Sequence, residues 1–204
     1  VLADCRALAA ELGSGLPGGL AVCELIDPHG RVRSAETIDW RGVDLLADFA
    51  AVESDVRAGA LAEARFGAGR EHPDFLYVTV SSGISHCLIS GGVPRVGVRG
   101  AAIGTGAPLV EQWSSGLALA RRTGHASADA ALADPASAHV VADGAQRLGI
   151  VLAALVNALD PGAVIIGGGL GLHDGYRAQV EAACDLEDCP VERPDHPQPR
   201  RHVM

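Results

Sequence analysis

The 204-residue sequence contains no lysine, since all 16 of its basic residues are arginines. This absence excludes chemistry that needs a lysine side chain, such as Schiff-base formation or the lysine of a nucleotide-binding P-loop. Aromatic residues are scarce, with three Phe, two Trp and two Tyr, so the core must be built from Ala, Val, Leu and Ile. Together with 26 glycines, this composition is typical of an α/β protein with a parallel sheet.

Positive charge is also in short supply, because 25 Asp and Glu residues give a net charge of −9. This balance argues against a protein that binds nucleic acid by neutralising phosphates. The five cysteines are irregularly spaced without a C-x-x-C pair, which predicts a reducing, cytoplasmic location. The N-terminus lacks the features of a signal peptide. The longest apolar run, residues 148–159, is shorter than the roughly 20 residues of a membrane span, so we expect no membrane segment.

Hydrophobic periodicity and turn residues predict the following elements. Helices are predicted at 2–12, 43–49, 56–66, 108–122, 126–132, 135–159 and 174–184, and strands at 20–26, 31–38, 75–80, 87–90 and 163–166. From residue 185 onward the sequence is rich in proline and charge without periodicity, which predicts an irregular tail.

Two predicted strands run into small residues. Val78–Val80 is followed by Ser81-Ser82-Gly83, and Val164–Ile166 by Gly167-Gly168-Gly169. Small residues after a buried strand let backbone amides approach an anion, and hydroxyls add donors. The alternatives are an ordinary hairpin turn for the first junction and a tightly packed turn before a helix for the second. The glycines do not form the G-x-G-x-x-G fingerprint of a dinucleotide site.

An acidic segment, Glu53-Ser54-Asp55, opens the predicted helix that ends at Phe66. A carboxylate at a helix N-terminus is favoured by the helix dipole, and Asp55 could accept a proton from a substrate hydroxyl. The alternative is that Ser54 or Asp55 simply caps the helix.

These motifs, in this order, carry a family resemblance. VESDVRAGALAEARFGAGREHPDFLYVTVSSGI and LVNALDPGAVIIGGGLG resemble segments of the ROK family of bacterial sugar kinases and repressors, as do IDPHGRV and IDWRGVDL upstream. The resemblance covers about residues 15–180. It implies an α/β, actin-like ATPase (ribonuclease H-like) fold of two domains. We expect residues 1–52 to be the remainder of an incomplete small domain, 53–184 a large nucleotide-binding domain, and 185–204 the tail.

The resemblance also implies roles for particular residues and ligands. Asp55 matches the catalytic base, and the implied sugar contacts are Thr37, Ser54 and Asp55. The implied ATP contacts are Thr79, Ser81, Ser82, Gly83, Gly167, Gly168 and Gly169. ATP, Mg²⁺ and a hexose are the implied ligands, and the Ala-rich helices 109–121 and 136–159 are candidates for a homodimer interface.

The sequence also departs from the family pattern. The family's D-x-G-G-T phosphate loop is not in the chain, so we expect a fragment that phosphorylates poorly by itself. The G-T-G-I-G-G loop reads Ser81–His86, the V-P-G turn reads Val22-Cys23-Glu24, and G-E-I-G-H is replaced by Gly100–Gly106. The cysteine-rich zinc loop is missing, so no structural zinc is expected. The alternative function is therefore a non-catalytic, sugar-sensing regulator or a degenerate family member.

Overall fold

The computed structural model of the chain describes residues 1–13, 16–104, 108–184 and 189–194. The α-helices of this part are α1 (Leu2–Leu12), α2 (Asp55–Phe66), α3 (Pro108–Ser114), α4 (Gly116–Thr123), α5 (Ala128–Ala133), α6 (Ala138–Leu159) and α7 (Asp174–Cys184). The strands are β1 (Gly19–Val22), β2 (Ala51–Ser54), β3 (Phe75–Val80), β4 (Ile84–Ser90), β5 (Val93–Pro94), β6 (Val164–Gly167) and β7 (Val191–Glu192). Short 3-10 turns lie at Leu45–Ala47, Ala68–Glu71 and Pro135–Ser137.

The strands form two sheets. The larger has the order β5-β4-β3-β6-β7, in which β3 pairs parallel with β6 and antiparallel with β4. The smaller consists of β1 and β2, which are parallel, with Val22 opposite Ser54. The predicted α/β class is therefore confirmed, and the parallel pairs β1–β2 and β3–β6 each end in residues of the predicted site.

Helices cover both faces of the larger sheet. On one face, α2 contributes Val56 and Ala60 to a cluster with strand side chains such as Phe75, Tyr77 and Ile165. On the other face, α6 and α7 complete the largest cluster, which includes Val78 and Ile166 of the sheet together with Leu148, Leu152, Tyr176 and Val180. A third cluster lies around the smaller sheet and comprises Val22, Ile26, Trp40, Leu45, Phe49 and Val52.

The single helix predicted over 108–122 is wrong, because the structure breaks it between α3 and α4. The break has a capping and a packing cause. The Ser115 hydroxyl accepts a hydrogen bond from the Ala118 amide at 3.2 Å and so caps α4. The Gly116 amide donates to the Ser81 carbonyl at 2.7 Å, and a Cβ at Gly116 would lie 2.8 Å from that oxygen. The helix therefore restarts where it docks on the turn after β3.

The predicted strands near the N-terminus are also longer than the observed ones. β1 ends at Val22, and the predicted strand over 31–38 is reduced to one bridge between Ile26 and Val32. Sequence reasoning did not identify β2 as a strand, and the expected domain boundary after residue 52 falls inside β2. The division into two domains stays a prediction.

The predicted irregular tail is described only at residues 189–194, and there the prediction is wrong for two residues. Val191–Glu192 forms β7, which pairs parallel with β6. The buried Arg177 guanidinium of α7 donates to the carbonyls of Val191 at 3.0 Å and Glu192 at 3.1 Å. This anchoring depends on a residue of another element, and a local pattern in the tail does not reveal it.

The apolar helix at 135–159 is long enough, by length and composition alone, to cross a membrane. One stripe of it, comprising Leu148, Leu152 and Val156, is buried in the main core. Since the core helix of a globular protein passes the same length test, this helix gives only weak support to a membrane span.

Close contact between α6 and α7 depends on Gly149, where a Cβ would lie 2.5 Å from the Ala183 Cβ and 2.8 Å from the Val180 carbonyl. We expect Gly149→Ala to lower the free energy of unfolding by about 1–3 kcal/mol through overpacking. The matched control is Gly175→Ala in α7, where a Cβ meets only the His173 ring at 3.5 Å, so helix propensity should leave stability equal or higher. Urea denaturation measures both, and equal stability of the two variants would contradict the prediction.

Candidate active site

Asp55 lies at the carboxyl end of the parallel pair β1–β2. Because Val22 is opposite Ser54, the next residues, Cys23 and Asp55, also come side by side. Asp55 is the exposed first residue of α2. Its Oδ1 accepts from the Val56 amide at 2.8 Å, and its Oδ2 accepts from the Cys23 thiol at 3.2 Å. The carboxylate is thus held in place, open to solvent, at a helix end that favours negative charge.

Ser54 is fully buried and caps α2. Its hydroxyl accepts from the Arg57 amide at 3.4 Å. The capping interpretation of this residue is therefore confirmed. A contact between Ser54 and a sugar stays a prediction.

The backbone at Thr37 is held by a buried carboxylate that sequence reasoning missed. Glu24, which is 3% exposed, accepts through Oε1 from the amides of Thr37 at 2.7 Å and Ile38 at 2.9 Å. Its Oε2 accepts from the Glu36 amide at 2.8 Å and the Ser34 hydroxyl at 2.5 Å. The segment 34–38 is therefore wrapped around one carboxylate instead of forming the predicted strand.

Glu24 follows Cys23 in the chain, so the loop that carries Thr37 is anchored one residue from the thiol that contacts Asp55. The backbone at the exposed residue Thr37 is therefore anchored, through Glu24, to the segment that also carries Cys23. That Thr37 contacts a sugar stays a prediction.

The hydrogen bonds to Glu24 also decide its ionisation. Burial by itself would raise the pKa of the carboxyl, but the hydrogen bonds from the Ser34 hydroxyl and from the amides of residues 36–38 outweigh burial. The pKa therefore lies below its ordinary value of 4.5, and Glu24 is an anion at neutral pH.

Arg57 is a second residue that sequence reasoning missed, and it is fully buried. Its guanidinium is paired with Glu53, with Nε 2.6 Å from Oε1. It also donates to the Ile26 carbonyl at 2.7 Å and the Gly100 carbonyl at 3.1 Å. Arg57 thus ties the smaller sheet, α2 and the loop before Ile103 together. The spacing of Glu53 and Arg57, four residues apart at a helix start, was the available signal.

The two strand–glycine junctions lie side by side. Thr79 of β3 is opposite Gly167 of β6, and the amides of Leu170 and Gly171 donate to the Val80 carbonyl at 3.1 and 2.9 Å. Gly168 has φ +84°, and a Cβ there would overlap that same carbonyl. A Cβ at Gly169 meets nothing within 4 Å. The second junction is therefore a tight turn whose glycine at 169 borders open space.

The first junction is the turn between β3 and β4, and α4 anchors it. The carbonyls of Ser81 and Ser82 accept from the amides of Gly116 at 2.7 Å and Leu117 at 3.3 Å. The hairpin interpretation of residues 81–83 is confirmed. That this turn binds phosphate stays a prediction.

The direction of α2 places Asp55 at the same edge as the junctions. Near the end of α2, Gly69 lies beside the ring of Phe75, the first residue of β3, while Gly59 lies beside the Tyr77 ring. The helix therefore runs antiparallel to β3, and its N-terminus lies at the carboxyl end of that strand. An acid and two small-residue turns thus share one edge.

No group of three or more His, Cys, Asp or Glu side chains that could hold a metal ion occurs within the described ranges. Residues 105–107 of the segment that replaces G-E-I-G-H lie outside those ranges. The expected absence of structural zinc stays a prediction.

The ROK family model matches residues 8–186. The chain belongs to the ROK family. The bifunctional enzyme NanE/NanK of Brucella melitensis is 33% identical over 162 residues, which are 71% of this chain and 31% of that protein. The xylose repressor of Bacillus subtilis is 33% identical over 78 residues, 34% of this chain and 20% of the repressor. The chain therefore spans about a third or less of the length of these curated relatives.

A solved structure extends the match. A ROK family glucokinase from Streptomyces griseus, in complex with glucose and AMPPNP, is 26% identical with a TM-score of 0.75, and the match covers 95% of this chain and 81% of the glucokinase. The fold is therefore the actin-like ATPase fold of ROK proteins, as predicted, and the family contains both sugar kinases and repressors.

Charge on Glu24 gives a stability prediction. The pKa of Glu24 is lower in the folded state than its ordinary value of 4.5. The charged side chain therefore contributes fully to the free energy of unfolding above pH 4.5, and this contribution is lost as pH falls through the folded-state pKa. We expect Glu24→Gln to cost about 1.5–3 kcal/mol at pH 7, as loss of hydrogen bonds to a charged group does, and to flatten the loss of stability below pH 4.5. Denaturation at several pH values measures this, with the exposed neighbour Glu36→Gln as the control. If the free energy of unfolding depends on pH in the same way in Glu24→Gln and Glu36→Gln, the ionised Glu24 does not stabilise the fold.

Proposed function

We propose that the protein is an ATP-dependent sugar kinase of the ROK family that transfers the γ-phosphoryl group of ATP to a hydroxyl of a hexose-type sugar. The observation that carries the proposal is the shared edge: the exposed Asp55 at the N-terminus of α2 lies at the end of the fold where β3 and β6 run into two small-residue turns. Membership of the family, and its match to a glucokinase that binds glucose and an ATP analogue, support this proposal.

Asp55 is assigned as the general base. Its carboxylate is exposed and fixed by two hydrogen bonds, from Val56 and Cys23, so it can accept the proton of a sugar hydroxyl as that oxygen attacks phosphorus. Phosphoryl transfer depends mainly on positioning and electrostatic stabilisation, and a pre-oriented carboxylate meets the first requirement. Thr37, which is exposed, is the further sugar contact of this proposal, whereas Ser54 is fully buried and caps α2.

The phosphates of ATP are assigned to the turns at the ends of β3 and β6, which comprise Thr79, Ser81–Gly83 and Gly167–Gly169. The turn at 167–169 fits this group best, because Gly169 has open space where a side chain would stand, whereas a Cβ at Gly83 would meet the Glu111 carboxylate. Mg²⁺, when bound with ATP, would neutralise phosphate charge. The chain's own residues supply a fixed backbone shape at these turns.

A sugar-sensing regulator is the second candidate, and the partial match to the xylose repressor favours it. The exposed, oriented Asp55 favours the kinase, since sugar sensing alone does not require a general base.

The proposal includes a cytoplasmic location, where ATP is available, and small-molecule partners instead of nucleic acid. It also includes a homodimer and the division into domains at 1–52 and 53–184.

Asp55→Asn keeps the size of the side chain but removes its ability to accept a proton. We expect kcat for sugar phosphorylation to fall by about 10²–10⁴ with little change in the Kd for AMPPNP. The assay measures ADP release with a panel of hexoses and N-acetylhexosamines, using the longest natural form of the protein. Asp129→Asn, at an exposed position in the first turn of α5, is the control. Unchanged kcat in Asp55→Asn would remove Asp55 as the base.

Gly169→Ala tests the nucleotide assignment without disturbing the fold, because its Cβ meets nothing within 4 Å. We expect the melting temperature to stay within about 1–2 °C of the wild type, while the Kd for AMPPNP with Mg²⁺ rises about tenfold, the effect of roughly 1.4 kcal/mol. Calorimetry measures binding, and Gly175→Ala in α7 is the control. If Gly169→Ala binds AMPPNP as the wild type does, the ligand does not approach this turn.

A further inference from the structure

The thiol of Cys23 is an unexpected partner for the proposed base. In the family pattern this position is the proline of the V-P-G turn, which offers no polar side chain, whereas here the sulfur lies 3.2 Å from Asp55 Oδ2. The contact is fixed by the fold, because the parallel register that pairs Val22 with Ser54 sets the next two residues beside each other.

The surroundings of Cys23 hold it in this position from the other side as well. The following residue, Glu24, is buried and accepts four hydrogen bonds from the segment 34–38. The backbone on both sides of Cys23 is thus constrained, by β1 before it and by Glu24 after it. The side chain itself is exposed, whereas Cys5 is half-buried and the cysteines at 87, 184 and 189 are buried.

Orientation is what this contact controls. Oδ1 of Asp55 is held by the Val56 amide at the helix start, and a thiol on Oδ2 removes the remaining rotation of the carboxylate about its last bond. A base held in one orientation loses less freedom when the substrate hydroxyl arrives. The same contact places an exposed thiol beside the carboxylate oxygen that the hydroxyl must approach.

We infer that Cys23 is a positioning residue for Asp55, and that its exposed thiol makes the proposed sugar site sensitive to thiol-modifying electrophiles. This inference rests on the proposed function for its effect on catalysis. The contact itself can be tested without any catalytic activity.

The first test measures the alkylation rate of Cys23 by iodoacetamide at pH 7.5, followed by mass spectrometry of the peptide that contains it. The thiolate sulfur attacks the CH₂ carbon, a C–S bond forms and iodide leaves. A neighbouring carboxylate disfavours the thiolate. We therefore expect Asp55→Asn to accelerate alkylation of Cys23 about fivefold, the effect of one charge about 4 Å away in water.

Cys5 in the same sample is the internal control, and its alkylation rate should be the same in Asp55→Asn and in the wild type. Asp129→Asn is the matched variant, and its Cys23 should be alkylated at the wild-type rate. Equal Cys23 rates in Asp55→Asn and the wild type would overturn the inference. Equal acceleration of Cys5 and Cys23 would also overturn it, because general loosening of the fold would then be the cause.

The second test measures catalysis in the longest natural form of the protein. We expect Cys23→Ala to lower kcat about three- to tenfold, in the range of one lost hydrogen bond, with the KM for ATP unchanged. Cys23→Ser keeps a donor and should restore kcat. Iodoacetamide should inactivate the wild type, with protection by sugar, but not Cys23→Ser.

Full kcat in Cys23→Ala would overturn the positioning role, and inactivation of Cys23→Ser at the wild-type rate would overturn the assignment of the electrophile sensitivity to Cys23. If the wild type phosphorylates no sugar, the proposed function and with it the catalytic part of the inference fail. The alkylation rates then still decide whether Cys23 and Asp55 are in contact.

Discussion

The buried guanidinium of Arg57 is the interaction on which the arrangement of the site depends. A charge removed from water must be paired and hydrogen-bonded, and loss of a partner from such a group costs about 3–5 kcal/mol. Arg57 meets this demand with Glu53 and with the carbonyls of Ile26 and Gly100. These partners come from three separate parts of the chain, so the requirement of one side chain fixes how the smaller sheet meets α2.

The site follows from this arrangement because β2 continues into α2 without a loop. Ser54 is both the last residue of the strand and the cap of the helix, so the position of Asp55 is set by the pairing of β1 and β2. The packing of α2 along β3 then brings the same helix end to the edge where β3 and β6 finish. A strand register and a helix direction, both products of core packing, therefore bring together residues that are far apart in sequence.

Sequence reasoning succeeded where the signal was local. The bounds of α1, β3 and α7 agree with the predictions, because apolar periodicity and flanking turn residues determine them. The reasoning failed where a distant partner decides the structure. The break at Ser115 depends on the Ser81 carbonyl, the fold of 34–38 depends on Glu24, and β7 depends on Arg177. For the site, the motifs identified Asp55 and the glycine turns, but Cys23, Glu24 and Arg57 act through contacts that no local pattern contains.

The absence of lysine bears directly on the proposal that the edge at β3 binds phosphate. His86 replaces a glycine of the family pattern next to this turn, yet burial lowers its pKa below the ordinary 6.5, and its buried Nδ1 has no partner among the described residues. The ring is therefore neutral at pH 7 and adds no positive charge. The turn at 81–83 is held in place by α4, and a Cβ at Gly83 would meet the carboxylate of Glu111. Under the proposed function, a phosphate ligand at this edge would therefore have to bring its own cation, as a nucleotide does with Mg²⁺.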